Sequence, residues 1–194
     1  MSGPPVRLER EYFEDLYEAD PDPWGFEASD YERQKYARTL AALEQRRYAR
    51  GLEVGCSIGV LTEGLAEHCD HLLAVDVSER AVATARARFD GQPGVQVERR
   101  SLPEDMPDAT FDLIVCSEVL YYWDRDLLIS ALAAMRERLE PGGSLLAVHW
   151  RPRTETYPLQ GEEVHALLRE HLDPEPALSR ANDRYLLDRF DVPG

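Results

Sequence analysis

The sequence predicts an α/β fold, a mostly parallel seven-stranded sheet with helices on both faces and a C-terminal antiparallel hairpin. Three observations carry this. From about residue 50 onward, short runs rich in Val, Leu and Ile alternate with stretches whose apolar residues recur at helical spacing. A glycine-rich turn joins the first such run to the first such stretch, and near the end Asn182 and Asp183 separate two short strand candidates in the manner of a hairpin. Regular alternation of strand and helix requires crossover connections and therefore a parallel sheet.

The chain before residue 50 reads as helical, broken by PDPWG at 21–25, with Ser29 or Asp30 capping a helix that runs to about Leu43. Strand-like runs follow at Leu52 to Gly55, Leu72 to Asp76, Val95 to Glu98, Phe111 to Cys116 and Ser144 to Trp150. Between them Val82, Ala85 and Phe89 mark one helix with a single buried face, and Leu128, Leu132, Met135 and Leu139 mark another. A loop with Pro152 and Pro158 leads to a helix with Val164, Leu168 and His171 on one face, then to strand candidates around Leu178 and at Tyr185 to Phe190. With 194 residues, no internal repeat and no linker, one domain is expected. Its parts are an N-terminal helical segment (1–48), a core (49–150) and a C-terminal helix and hairpin (151–194).

Composition narrows the function. Hydrophobic residues at 43% and charged residues at 30% are ordinary for a globular fold and exclude collagen-like and disordered classes. A net charge of −15 repels phosphate backbones and anionic lipid heads, so neither nucleic acid nor a membrane surface is an expected partner. Lys35 is the single lysine among 22 basic residues, and no function attaches to that bias. Cys56, Cys69 and Cys116 lack CxxC spacing, which argues against a disulfide framework or a structural zinc site and fits a reducing cytoplasm. The HCDH cluster at 68–71 reads as a solvated turn where a helix gives way to a loop, and no metal is expected. No run approaches the ~18 apolar residues of a membrane span, and the N-terminus runs into charge, with no secretory signal expected.

The first strand ends in EVGCSIG, residues 53–59, before a helical stretch. Such a turn lets backbone N–H groups approach a polar or anionic ligand at the helix start. The dinucleotide pattern G-x-G-x-x-G begun at Gly55 fails, because Ser57 and Val60 stand where glycines belong. An alternating E-x-G-x-G-x-G pattern finds Glu53, Gly55 and Gly59, with Ser57 the one departure. Asp76 closes the second strand 21 residues after Gly55; FDLIVCSEVL (111–120) and LEPGGSLLAV (139–148) follow in order. This series resembles class I S-adenosylmethionine-dependent methyltransferases, with their Rossmann-like fold. Within that class YFEDLYEADPDPWGFEASDYERQKYARTL, LEVGCSIGVLT, SEVLYYW and HWRPRTETYPLQGEEVHALL, together nearly the whole chain, resemble the nodulation protein S family. Members of that family N-methylate the freed amine of a chitooligosaccharide.

The resemblance implies a site. Gly55, Cys56, Ser57 and Gly59 would wrap the methionine part of S-adenosylmethionine, with Glu53 fixing the loop or reaching the amino group. Asp76, followed by Val77, would take the ribose hydroxyls. Ser101 stands where the family commonly has an acid for the adenine amine, with the Leu102 N–H as a second contact. Trp24, Tyr31, Arg33 and Tyr36 are expected in a lid, Arg33 lying on an inward stripe with Ala37 and Leu40 and pairing with the cofactor carboxylate. The alternative is that these aromatics are core and that Arg33 pairs with a structural acid.

Acceptor chemistry belongs beyond the carboxyl ends of the strands, where Ser117, Glu118, Tyr121, Tyr122, His149 and Trp150 fall. Ser117 is also counted with the cofactor contacts. Glu118 or His149 is the expected base for an amine, and Tyr157 and His165 are expected acceptor contacts. A small-molecule N-methyltransferase leads this reading. An O-methyltransferase of a small metabolite and a catalytically silent cofactor-binding module stay open beside it, and a nicotinamide dehydrogenase is a remote outsider.

Overall fold

The computed structural model describes residues 6–173 and 175–194. It has the fold the sequence predicts: a mixed, mostly parallel sheet of seven strands that ends in an antiparallel hairpin, with six α-helices. The residues group into two compact units, 9–101 and 102–194, the latter joined by 6–8.

The first unit holds helices α1 (Arg10–Ala19) and α2 (Asp30–Ala41), then β1 (Tyr48–Val54), α3 (Val60–Ala66), β2 (Cys69–Asp76), α4 (Glu79–Arg88) and β3 (Val95–Arg99). Its strands run in the order β3-β2-β1, all parallel. Ser29 is the N-cap of α2, its hydroxyl accepting from the Glu32 N–H, so the chain turns helical where the sequence places a cap. Ser78 caps α4 in the same way through the Ala81 N–H. Val82, Ala85 and Phe89 pack with Cys56, Ala74 and Val97 in one apolar cluster, which fixes the loop after β1 against α4. The cluster at 68–71 is only in part a turn: His68 closes the turn after α3, but β2 begins at Cys69, which is buried beside β1. Strand pairing satisfies that backbone, which a solvated turn would leave to water.

The second unit holds β4 (Phe111–Ser117), a 3₁₀ turn (Leu120–Tyr122), α5 (Arg125–Arg138), β5 (Leu139–Trp150), α6 (Gly161–His171), β6 (Leu178–Ala181) and β7 (Tyr185–Asp191). The order is β4-β5-β7-β6, with β4 and β5 parallel and the remaining pairs antiparallel. Asn182 makes the hairpin turn, its Oδ1 accepting from the N–H groups of Arg184 and Tyr185 at 2.8 and 2.9 Å. Strand β5 starts five residues earlier than the apolar pattern indicates, because Leu139 pairs with Phe111 before a register shift. On α6 the buried face carries Val164, His165 and Leu168, whereas His171 is only partly covered.

Candidate active site

In the first unit the turn after β1 uses left-handed backbone at Gly55 (φ 76°), Ser57 (φ 52°) and Gly59 (φ 85°). Glycine tolerates this conformation; serine adopts it only where neighbours hold it. The holding groups are visible. The Ser57 N–H donates to Asp76 Oδ2 at 2.9 Å, and the Ser57 hydroxyl shares a 2.5 Å hydrogen bond with the Tyr17 phenol. A side chain at Gly59 would sit 2.8 Å from the Phe89 ring, so α4 packs directly on the loop.

Asp76 is half-buried at the end of β2, and its Oδ1 accepts from the Ser78 N–H at 2.9 Å. Burial pushes its carboxyl above the ordinary range, outweighing the N–H donors of Ser78, Ser57 and Val77 that pull it down. Glu53 is fully buried on β1 and accepts from the Thr62 hydroxyl at 2.6 Å. Burial, with the charge of Asp76 adding to it, pushes Glu53 up to about 8 despite the Thr62 bond. The neighbours acting on Glu53 are thus a neutral hydroxyl and a second carboxylate, neither of them a cation. Cys56, also buried in the loop, has its thiol pushed up by burial and then by Asp76 and Glu53. Paired carboxylates raised in this way favour a ligand that brings positive charge and hydroxyl groups, which S-adenosylmethionine does. The residues present fit that cofactor.

Helix α1 docks on this loop region through side chains that spacing and motif left unassigned. Besides Tyr17, Glu14 accepts from the Glu79 N–H at 2.7 Å and the Ser78 hydroxyl at 3.2 Å, at the start of α4. Trp24 meets the Tyr17 ring edge-on at 5.7 Å and stacks on Phe26 at 5.6 Å, and Phe26 in turn lies 6.2 Å from Tyr36. Trp24 and Tyr36 therefore reach the loop through Tyr17. Arg33 does not: the structure turns it outward, where it pairs with Asp30 and donates to the Ala28 carbonyl. Ala37 is exposed with it. The inward face of α2 is set instead by Glu32, Lys35 and Thr39. Lys35, 3% exposed, pairs with Glu32 at 2.8 Å and lies 5.5 Å from the Tyr31 ring, so the buried cation of this helix is its lysine. Ser101 is half-buried just after β3, in this unit, whereas Leu102 is buried in the other.

In the second unit β4 ends at the half-buried Ser117, and Glu118 follows with φ 57°, a left-handed conformation rare for a side chain of that size. Its N–H donates to the Val148 carbonyl at 2.8 Å. Glu118 Oε2 accepts from the Trp150 N–H at 2.8 Å and from the Tyr121 hydroxyl. Burial, then the charge of Glu118, hold the Tyr121 phenol well above its ordinary range, so it acts as a donor. Tyr157 stacks on Tyr121 at 4.8 Å and meets Tyr122 edge-on at 4.9 Å. The structure thus brings together Glu118, Tyr121, Tyr122, Tyr157 and the backbone of Trp150.

The two histidines behave differently from expectation. His149 is completely buried, with Nε2 accepting from the Leu120 N–H at 3.2 Å and Nδ1 3.1 Å from His165 Nε2. Taking up a proton at Nε2 would leave the Leu120 N–H facing another donor, so this geometry opposes a role as base. His165, 1% exposed, spends its second nitrogen on Asp188 at 2.8 Å and cannot touch an acceptor as expected. Asp188 also accepts from Arg169 at 2.9 Å. The acid inside the apolar run YLLDRF was the signal for this partner, since a buried carboxylate demands donors.

Comparison with known proteins places this arrangement in a family. The family model for Nodulation protein S (NodS) matches residues 10–157. The nodulation protein S of Sinorhizobium fredii is 32% identical over 181 residues, 89% of this chain and 84% of its own length. That of Rhizobium tropici is 35% identical over 130 residues, 66% of this chain, and the match spans 55% of the relative. A crystal structure of the N-methyltransferase NodS from Bradyrhizobium japonicum, in complex with S-adenosyl-L-homocysteine, superposes with a TM-score of 0.84 at 30% identity. The match covers 95% of this chain and 98% of that one. The glycine turn, the carboxylate closing β2 and the agreement of both sequence and fold lead to one conclusion: the chain belongs to the nodulation protein S family of class I S-adenosylmethionine-dependent methyltransferases.

Proposed function

We propose that this protein transfers a methyl group to the amine of a small molecule, an amino sugar of the chitooligosaccharide kind. The observation that carries the acceptor class is the Glu118 carboxylate, presented on a left-handed turn beside the Tyr121, Tyr122 and Tyr157 rings. A carboxylate flanked by aromatic faces favours a cationic or incipiently cationic nitrogen over a neutral hydroxyl. The N-methyltransferase activity named for the Bradyrhizobium relative supports the same reading.

When bound, S-adenosylmethionine supplies an electrophilic sulfonium methyl, which the amine lone pair takes while the S–C electron pair stays on sulfur. In this reading Gly55, Cys56, Ser57 and Gly59 form the loop that holds the donor, with Asp76 supplying a carboxylate for the hydroxyl groups and the buried Glu53, bonded to Thr62, fixing the base of the loop. Tyr17, Trp24 and Tyr36 cover the loop, and Ser101 offers a hydroxyl near the end of β3. Glu118 orients the amine and accepts the proton released as the new N–C bond forms. Most of the acceleration comes from positioning, which contributes up to about 7–11 kcal/mol when reactants are well oriented.

The charge of −15 supports a small acceptor over nucleic acid or an anionic membrane. Among the described residues no helix is long and apolar enough to cross a membrane. The three cysteines are buried thiols, which supports a cytoplasmic location. The test is incubation with labelled donor and a panel of deacetylated chitooligosaccharides, simple amines and hydroxylated metabolites, with products read by mass. Methylation of the amino sugars at nitrogen is expected. Methylation confined to hydroxyl acceptors overturns the assignment.

A further inference from the structure

Four groups in the second unit form a continuous buried line. The Leu120 N–H meets His149 Nε2 at 3.2 Å, His149 Nδ1 meets His165 Nε2 at 3.1 Å, and His165 Nδ1 meets Asp188 Oδ2 at 2.8 Å. Each residue comes from a different element. His149 is on β5, His165 on α6 and Asp188 on β7, while Leu120 opens the 3₁₀ turn. Asp188 pairs with Ala147 across the β5–β7 register and so shares a sheet face with His149 two residues on. Helix α6 is pressed onto the same strand end, because a Cβ at Gly161 would lie 2.2 Å from the Trp150 carbonyl oxygen.

Donor counting fixes every proton in the line. A backbone N–H can only donate, so His149 Nε2 is an acceptor and its ring proton sits on Nδ1. That proton points at His165 Nε2, which must then be an acceptor, leaving the His165 proton on Nδ1 for the Asp188 carboxylate. Donor counting thus gives both rings the Nδ1–H tautomer, the reverse of the form that dominates in free histidine. Arg169 balances the carboxylate at the far end, 2.7 Å away.

From this geometry we infer that the His149–His165–Asp188 line is a positioning device: it supplies the acceptor that holds the Leu120 N–H and thereby sets the turn presenting Glu118 and Tyr121. No side chain of the turn caps that N–H, since the residue before it is Val119. The inference rests on the acceptor-site reading above for its kinetic consequence, but its structural part stands without it. His149 is a positioning residue here, acting on the acceptor through Glu118 and Tyr121.

The experiment uses two substitutions that separate the roles of the two ring nitrogens. His149→Gln keeps an acceptor near the position of Nε2, whereas His149→Asn keeps only a donor near that of Nδ1. In the full chain, long-range ¹⁵N–¹H spectra are expected to show both rings as Nδ1–H tautomers. The Leu120 amide should resist hydrogen exchange in the wild type and in His149→Gln, and exchange faster in His149→Asn. With an amine acceptor, kcat/KM for that acceptor should fall about tenfold in His149→Asn and be largely restored in His149→Gln, with affinity for S-adenosylhomocysteine unchanged in both. An Nε2–H tautomer on either ring, or an Asn variant whose Leu120 amide stays as protected as the Gln variant's, overturns the inference. If no amine is turned over by the wild type, the acceptor reading fails, while the tautomer and exchange results still decide the positioning line.

Discussion

Tyr17 on α1 holds Ser57, the residue that occupies the middle glycine position of the loop, through a 2.5 Å hydrogen bond between their hydroxyls. The serine departs from the glycine pattern, and its left-handed backbone carries strain of about 1–3 kcal/mol that its bonds with Tyr17 and Asp76 offset. The departure and the helix that covers it thus form one arrangement. A double-mutant cycle tests the link. Tyr17→Phe is expected to weaken binding of S-adenosylhomocysteine about twofold to tenfold, the worth of one net hydrogen bond. In a Ser57→Gly background, where the hydroxyl is gone and the backbone relaxed, the same change should have little further effect on calorimetric affinity. Equal losses in both backgrounds would show that Tyr17 acts elsewhere.

Asp76 has two tasks that a single substitution removes together. It fixes the loop through the Ser57 N–H and caps the entry to α4 through the Ser78 N–H. It also offers a carboxylate for the ribose hydroxyls in the proposed site. Asp76→Ala is expected to lower affinity for S-adenosylhomocysteine about tenfold to a hundredfold, the range for losing hydrogen bonds to a charged acceptor. Calorimetry that finds the affinity unchanged removes Asp76 from the donor site.

The strands and the glycine turn were legible in the sequence because both depend on local signals. Apolar runs such as Leu72 to Asp76 need burial on both faces, and Gly55 and Gly59 sit where left-handed backbone is required. What the sequence concealed are partnerships across distance. Nothing local links Tyr17 to Ser57, Glu14 to the start of α4, or Asp188 to His165. The face of α2 was misread for a related reason. Arg33, Ala37 and Leu40 form a valid helical stripe by spacing, yet the helix buries Glu32, Lys35 and Thr39, and an ion pair hides inside a stripe that looks polar. Periodicity counts apolar residues, so it cannot see a buried pair that neutralises itself.

That pair makes a sharp contrast on one helix. Lys35 and Glu32 are almost fully enclosed, and removing one partner takes an opposite charge away from the other in a low-dielectric setting. Lys35→Ala is expected to destabilise the fold by about 3–5 kcal/mol. Arg33→Ala, on the exposed face, should change stability by no more than about 0.5 kcal/mol. Urea denaturation of the two variants checks this directly. Comparable losses at both positions would return Arg33 to the inward face.

Glu53 gives the protein a dependence on pH that runs opposite to ordinary acid denaturation. Its carboxyl is raised from 4.5 to about 8 in the folded chain, first by burial and then by Asp76. Between those two values the folded state keeps a proton that the unfolded chain has released, so stability falls as pH rises through the window and levels off above it. Asp76, raised in the same direction, adds to the slope. Asp188 is held below its ordinary 3.8, where the donors His165, Ser179 and Arg169 outweigh burial. Its stabilising contribution is lost only as pH falls below that value, outside the window. The melting temperature of the protein without donor should therefore rise as pH is lowered from 8 toward 5.5. Glu53→Gln mimics the protonated acid and can still accept from Thr62. It should flatten most of this slope and raise the melting temperature at pH 8, and a variant melting below the wild type at pH 8 would mean that Glu53 is ionised in the folded protein.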